Sequence, residues 1–175
     1  MSKYPEFLAG QKLTAALLAA GQWDKTVKQA NSTKVNSTLA NDTELAGITL
    51  GVGTWDVHFM IFAYCTGSAT PDIKTQWTFS GTWNTPLRAC VGPGSTNTGN
   101  SDTVTPVKMR AEAVNSNSSY GLGASGSYNE IHERCSTVVV TVAGTLSLQW
   151  AQVTTDAVNA TTVPAGSYVE VRQIA

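Results

Sequence analysis

The stretch Ala143–Gln152, "AGTLSLQWAQ", decides the fold class. Leu146, Leu148 and Trp150 fall on one side, and Ser147, Gln149 and Ala151 on the other. Alternation at period two marks a strand with one buried face, whereas a helix would collect apolar residues three and four apart. The same pattern recurs outward from this point. "DIKTQWTF" (Asp72–Phe79) sets Ile73, Thr75, Trp77 and Phe79 against Asp72, Lys74, Gln76 and Thr78. "TWDVHFMIFAYC" (Thr54–Cys65) sets Trp55, Val57, Phe59, Ile61 and Ala63 on one face. Its other face begins polar at Asp56 and His58 and turns apolar at Met60, Phe62 and Tyr64, so one end is expected to be buried on both sides.

"VKMRAEAV" (Val107–Val114) sets Met109, Ala111 and Ala113 against Lys108, Arg110 and Glu112. "YNEIHERCSTVVVTV" (Tyr128–Val142) reads as one long strand or as two with a break. Near the end of the sequence, Val169 and Val171 alternate with Tyr168, Glu170 and Arg172. Turn residues at Asn31-Ser32 and Asn41-Asp42 leave room for two short edge strands, and Gly92-Pro93-Gly94 ends another. Residues 95–103 and 115–127 read as polar loops. Together these make about eight to ten short strands with turns throughout, an all-β antiparallel sandwich. The paired closing strands and the polar crossing between them favour a jelly roll. No Cys…Trp…Cys spacing supports an immunoglobulin-like alternative.

The first residues differ. Thr14 can cap a short helix, Ala15 to Ala20 are good helix formers, and Gly21 can close it. So short a helix is unstable alone and must dock on something. The expected organisation is a helical docking arm over residues 1–24 and a jelly-roll domain over 25–175. The apolar run Leu13–Ala20 is too short to span a bilayer, and no small-residue cleavage pattern follows it, so no secretory leader is expected. The last strand runs to Ala175, which suggests packing inside an assembly.

The chain has 175 residues and a formal net charge of −1, enough for one sizeable core. Charged residues are 13% of it, about half the usual share, and Ser, Thr, Asn and Gly take their place. No block of like charge argues for nucleic acid or an anionic membrane surface, so neither is an expected partner.

Motifs for chemistry are weak. "GLGASG" (Gly121–Gly126) matches a dinucleotide-binding pattern, but "SYNEIHERC" after it reads as strand rather than helix. His58 and His132 could join a cysteine or Glu133 around zinc, yet neither has a local ligand partner, and ordinary strand histidines are expected. No nucleophile elbow of the G-x-S-x-G kind occurs. Asp56, Asp72, Glu112, Glu130 and Glu133 all sit in polar alternations and are expected on solvated faces, not as a glycosidase pair. Cys65, Cys90 and Cys135 are expected as buried thiols, with a Cys65–Cys90 pair left open. Five N-x-S/T sequons arise in a chain rich in Asn, Ser and Thr and are not expected to carry glycans. Trp55, Trp77 and Trp150 are expected on core faces. Trp83 is the one candidate for a sugar platform. No catalytic residue, cofactor or metal is expected, and the chain is not expected to be an enzyme.

"YPEFLAGQKLTAALLAA" (Tyr4–Ala20) resembles the F-x-A-G-Q-x-L-T-A-x-x-L segment that opens structural proteins of tailed phages infecting actinobacteria. "LSLQWAQ", "AGSYV" and "VRQIA" resemble the closing part of the same group, and "IKTQWTFSGTW" and "VGPG" fit its middle. The group comprises small virion proteins of the capsid-decoration, head-fibre and minor-tail kinds. The closing strands are also similar to the tumour-necrosis-factor-like jelly roll. The resemblance implies a homotrimeric virion protein, made in the host cytoplasm and carried on the virion surface. The first expectation is a capsid decoration protein (a minor capsid or head protein) gripping the major capsid protein through Phe7, Leu8, Leu13, Leu17 and Leu18. The alternative is a minor tail or tail-tip protein that joins other tail proteins and touches host surface glycans. Gln149 and Tyr168 are the candidates for the trimer interface.

Overall fold

Every second residue of β5 (Gly53–Cys65) from Val57 to Cys65 is buried, and the rest of the molecule is arranged around that strand. The computed structural model describes residues 23–67, 71–94, 107–122 and 128–174, and among these there are strands, turns and loops but no helix. The docking arm and its helix lie outside the described residues, apart from Trp23 and Asp24. Asp24 already opens β1 (Asp24–Val27).

Two antiparallel sheets share one core in a β-sandwich-like arrangement. The larger follows the order β1, β14 (Tyr168–Gln173), β5, β11 (Asn129–Val142), β8 (Leu87–Pro93), β9 (Val107–Ala113). Short β2 (Ser32–Lys34), β7 (Thr82–Trp83) and β13 (Thr161–Val163) attach to it. The smaller follows β10 (Ser118–Tyr120), β6 (Ile73–Phe79), β12 (Gly144–Gln152), β3 (Ala40–Asn41), with β4 (Ile48–Leu50) also on β12. The region expected to hold two edge strands, residues 25–45, holds β2 and β3 after most of β1, and β4 follows it.

The opening stretch behaves as its alternation predicts on the inner side: Leu146, Leu148 and Trp150 are fully buried. Ile73 and Trp77 of β6 and Val57, Phe59 and Ile61 of β5 meet them, and the Phe59 and Trp77 rings touch across the sheets with centroids 5.0 Å apart. Truncating such a buried aromatic side chain costs about 3–5 kcal/mol. Ala151 is buried as well, although it faces away from the core. The far end of β5 is only half covered on its second side: Met60, Phe62 and Tyr64 are partly exposed.

β11 is one strand with an irregularity, since its register against β5 shifts between Cys135 and Val138. A bulge of this kind keeps a long strand paired while bending it. β11 then passes to β12 through Ala143 alone, leaving the larger sheet for the smaller. Gly144 makes the crossing possible, because a Cβ there would stand 2.3 Å from the backbone nitrogen of Gly81.

β9 turns its polar face toward the inner side of the sheet. Its register on β8 sets Lys108, Arg110 and Glu112 opposite Gly92, Cys90 and Arg88, the inward residues of that strand. Lys108 and Glu112 accordingly turn under the sheet edge, and Lys108 donates to Ser118 Oγ at 2.6 Å and to the Ser119 carbonyl at 3.0 Å. Met109 and Ala111 are left facing water.

Candidate functional site

Three polar groupings and one apolar surface stand out. The first lies between the sheets. Glu133 is fully buried, on the inner side of β11. It accepts hydrogen bonds from Trp77 Nε1 at 2.6 Å, Tyr120 Oη at 2.8 Å and the Thr75 hydroxyl. Arg88 Nε stands 3.4 Å from its Oε2, an ion pair without hydrogen-bond alignment. The Arg88 guanidinium spends its other donors on the carbonyls of Thr75, Val114 and Ser116. Burial is the largest single influence on Arg88 and pulls its pKa down, but Glu133, Cys90 and Tyr120 together outweigh it and the net shift is upward. Burial and the same carboxylate push the Tyr120 phenol strongly upward. A buried carboxylate this fully bonded ties β6, β8, β10 and β11 together. The expectation of a solvated Glu133 is thus corrected, and Asp56, 2% exposed, departs from it in the same way. Their partners lie far off in sequence, so local alternation does not reveal them.

The second grouping closes the end near β1. Lys28 Nζ, completely buried, donates to Asp42 Oδ1 at 2.9 Å, and Trp150 Nε1 donates to Asp42 Oδ2 at 3.0 Å. Burial raises the Asp42 pKa, but amide hydrogen bonds from Glu44 and Leu45, with Lys28 and Trp150, outweigh it and leave it lowered. The carboxylate is held charged and internally paired.

The third spans the outer face of the larger sheet. His58 and His132 lie on neighbouring strands with nearly parallel rings, 7° apart, and their edges meet: Nε2 of His58 is 3.2 Å from Nδ1 of His132. His132 Nε2 lies 2.6 Å from Glu130 Oε1, and His58 Nδ1 lies 3.7 Å from Glu170 Oε2. With both rings neutral, His132 donates to Glu130 and His58 donates to His132, so the next proton is taken by Nδ1 of His58, facing Glu170. Burial is the largest cause of a lowered His58 pKa, followed by the His132 ring beside it, against the pull of Glu170. Beside this chain, Asp56 takes two hydrogen bonds from Arg134, at 3.1 and 2.7 Å, and one from Ser136 at 2.9 Å. The Trp23 ring covers Arg172 and Arg134, with centroid distances of 4.7 and 5.8 Å.

The two histidine nitrogens point at each other rather than at a common ligand position. Glu133 faces the opposite side of the sheet. Among the described residues, no group of three or more His, Cys, Asp or Glu side chains could hold a metal ion. Cys65, Cys90 and Cys135 are buried thiols. Trp83 is no open platform, since it stacks on Phe79 with centroids 5.0 Å apart. Gly123 to Gly126 of the glycine motif lie outside the described residues, and β11 follows them rather than a helix.

Phe7, Leu8, Leu13, Leu17 and Leu18 also lie outside the described residues. Gln149 and Tyr168 are not brought together. Gln149 faces outward from the smaller sheet and donates to Asn41 Oδ1 at 3.0 Å. Tyr168 faces outward from the larger sheet, with the Lys25 ammonium 3.5 Å from its ring centroid.

The apolar surface occupies the other half of that larger sheet's outer face. Register places Leu87 beside Ala113, Ala89 beside Ala111, Val91 beside Met109 and Pro93 beside Val107, with no charged side chain among them. The inward turn of the polar face of β9 creates this surface, and alternation alone does not show it. No family model, curated protein or solved structure matches the chain.

Proposed function

We propose that the chain is a structural subunit of a bacteriophage virion: a homotrimeric, jelly-roll decoration protein on the head, bound to the major capsid protein through residues 1–22. One observation carries this reading. The charged clusters join strand to strand inside the subunit, while large apolar side chains stand in water on one sheet face. That layout suits a protein that packs against other proteins. The resemblance of Tyr4–Ala20, Ile73–Trp83 and the closing strands to phage structural proteins supports the virion as the setting. The polar sequences 95–103 and 115–117 favour a second reading, a minor tail or tail-tip protein touching host glycans. The test is a phage carrying a deletion of residues 1–22, which spares Trp23 and β1. Particles purified from that phage should lack the protein while wild-type particles contain it. Unimpaired incorporation would sink the role of the arm, and wild-type particles without the protein would sink the reading itself.

A further inference from the structure

The outer face of the larger sheet is divided. Near β14 it carries Lys25, Glu170, Arg172, Asp56, His58 and Arg134, paired among themselves. Across β8 and β9 it carries Leu87, Ala89, Val91, Pro93, Val107, Met109 and Ala111, bordered by Tyr128 at the start of β11. Leu87 is 63% exposed, Val107 68%, Met109 77% and Tyr128 66%.

We infer that this apolar half is where the subunit packs against another copy of the same chain. The inference rests on the assembly reading above and gives it an interface. Three features select the occupant. First, area: about two-thirds exposure of four large side chains leaves on the order of 500 Å² in water, more than half of the roughly 800 Å² each partner gives a stable interface. Second, shape: the rows lie in register across two paired strands, and small Ala89 and Ala111 at their centre permit close approach, as in sheet-on-sheet packing. Every copy brings the same patch, so around a threefold axis each patch can face those of its two neighbours. Third, charge: the patch itself is neutral, and the flanking half carries both signs, already paired, so two copies meet without like-charge repulsion and with a polar rim. Tyr168 then belongs to the rim, and Gln149, on the other sheet, lies outside this contact.

The test is the solution mass of the full-length chain, wild-type and with Ala111→Glu or Met109→Arg, by light scattering after gel filtration. Tryptophan fluorescence and thermal unfolding confirm that each variant is folded. Both sites face water, so the variants should fold. Wild-type should run as a multiple of its 18.4 kDa chain mass, and each variant should fall to one chain mass. A monomeric wild-type chain, or an oligomer unchanged in both variants, would overturn the inference. So would a wild-type monomer that self-associates only when residues 1–22 are removed, because the occupant would then be the chain's own first segment. The virion reading fails separately, through absence of the protein from particles. A monomer that still enters particles would defeat only the interface.

Discussion

Trp77 donates its indole N–H to Oε2 of Glu133 at 2.6 Å, across the interior between the two sheets. The bond joins β6 of the smaller sheet to β11 of the larger, and Thr75 and Tyr120 bring two further donors to the same carboxylate. Hydrophobic contact holds the sheets together without direction, whereas this carboxylate fixes which residues face each other.

Removing Glu133 strands the Arg88 guanidinium and three donors in the core. Glu133→Ala should therefore lose about 3–5 kcal/mol of stability in urea unfolding. Glu133→Gln should lose less, because the amide oxygen still accepts from Trp77. A Glu133→Ala midpoint within about 1 kcal/mol of wild-type would show that the carboxylate does not carry the interior network.

Asp72 gives an opposite kind of effect. Burial raises its pKa to about 6 from 3.8, against a hydrogen bond from the Leu122 amide. The folded state holds the proton more tightly, so the contribution is fully present below pH 3.8 and lost as pH rises through about 6. Asp72→Asn should accordingly be more stable than wild-type at pH 7, by on the order of 1 kcal/mol after discounting a half-exposed group for solvent screening. The advantage should vanish near pH 4. A stability difference that does not change between these two pH values would contradict the assignment.

His58 has a lowered pKa, so the unfolded chain takes up its proton first. Its stability contribution is present above 6.5 and is lost as pH falls through the folded-state value. The ring proton resonances of His58 should titrate with a midpoint below 6.5. Melting temperature should decline on acidification more steeply in wild-type than in His58→Phe. Glu170, Lys25, Arg134 and Glu130 all border the histidine pair, so the comparison is made between variant and wild-type at each pH. Parallel melting curves across pH would remove His58 from this role.

How much of this was legible in the sequence differs from strand to strand. Alternation located β5, β6 and β12, together with their inward residues Phe59, Trp77 and Leu148, because each strand has one strongly apolar face. For β9 it separated the two faces and left their direction open. Met109 and Ala111 face water because the neighbouring β8 turns Arg88 and Cys90 inward and the register carries Lys108 and Glu112 in with them. The burial of Glu133 depends on Trp77, 56 residues away, and the histidine contact depends on a register between residues 74 apart. Period two is a local signal, and these pairings are set by topology. The Gln149 and Tyr168 pair had the same weakness: both point outward, as the alternation implied, but from different sheets.

We propose that this chain is a subunit of the virion shell. It is tested most directly by its copy number in purified particles, measured by quantitative mass spectrometry against the major capsid protein. The expected result is a fixed, simple ratio to the major capsid protein, as a lattice of decorating subunits requires. A handful of copies per particle would contradict decoration of the head and point to the tail, and complete absence would contradict the virion reading.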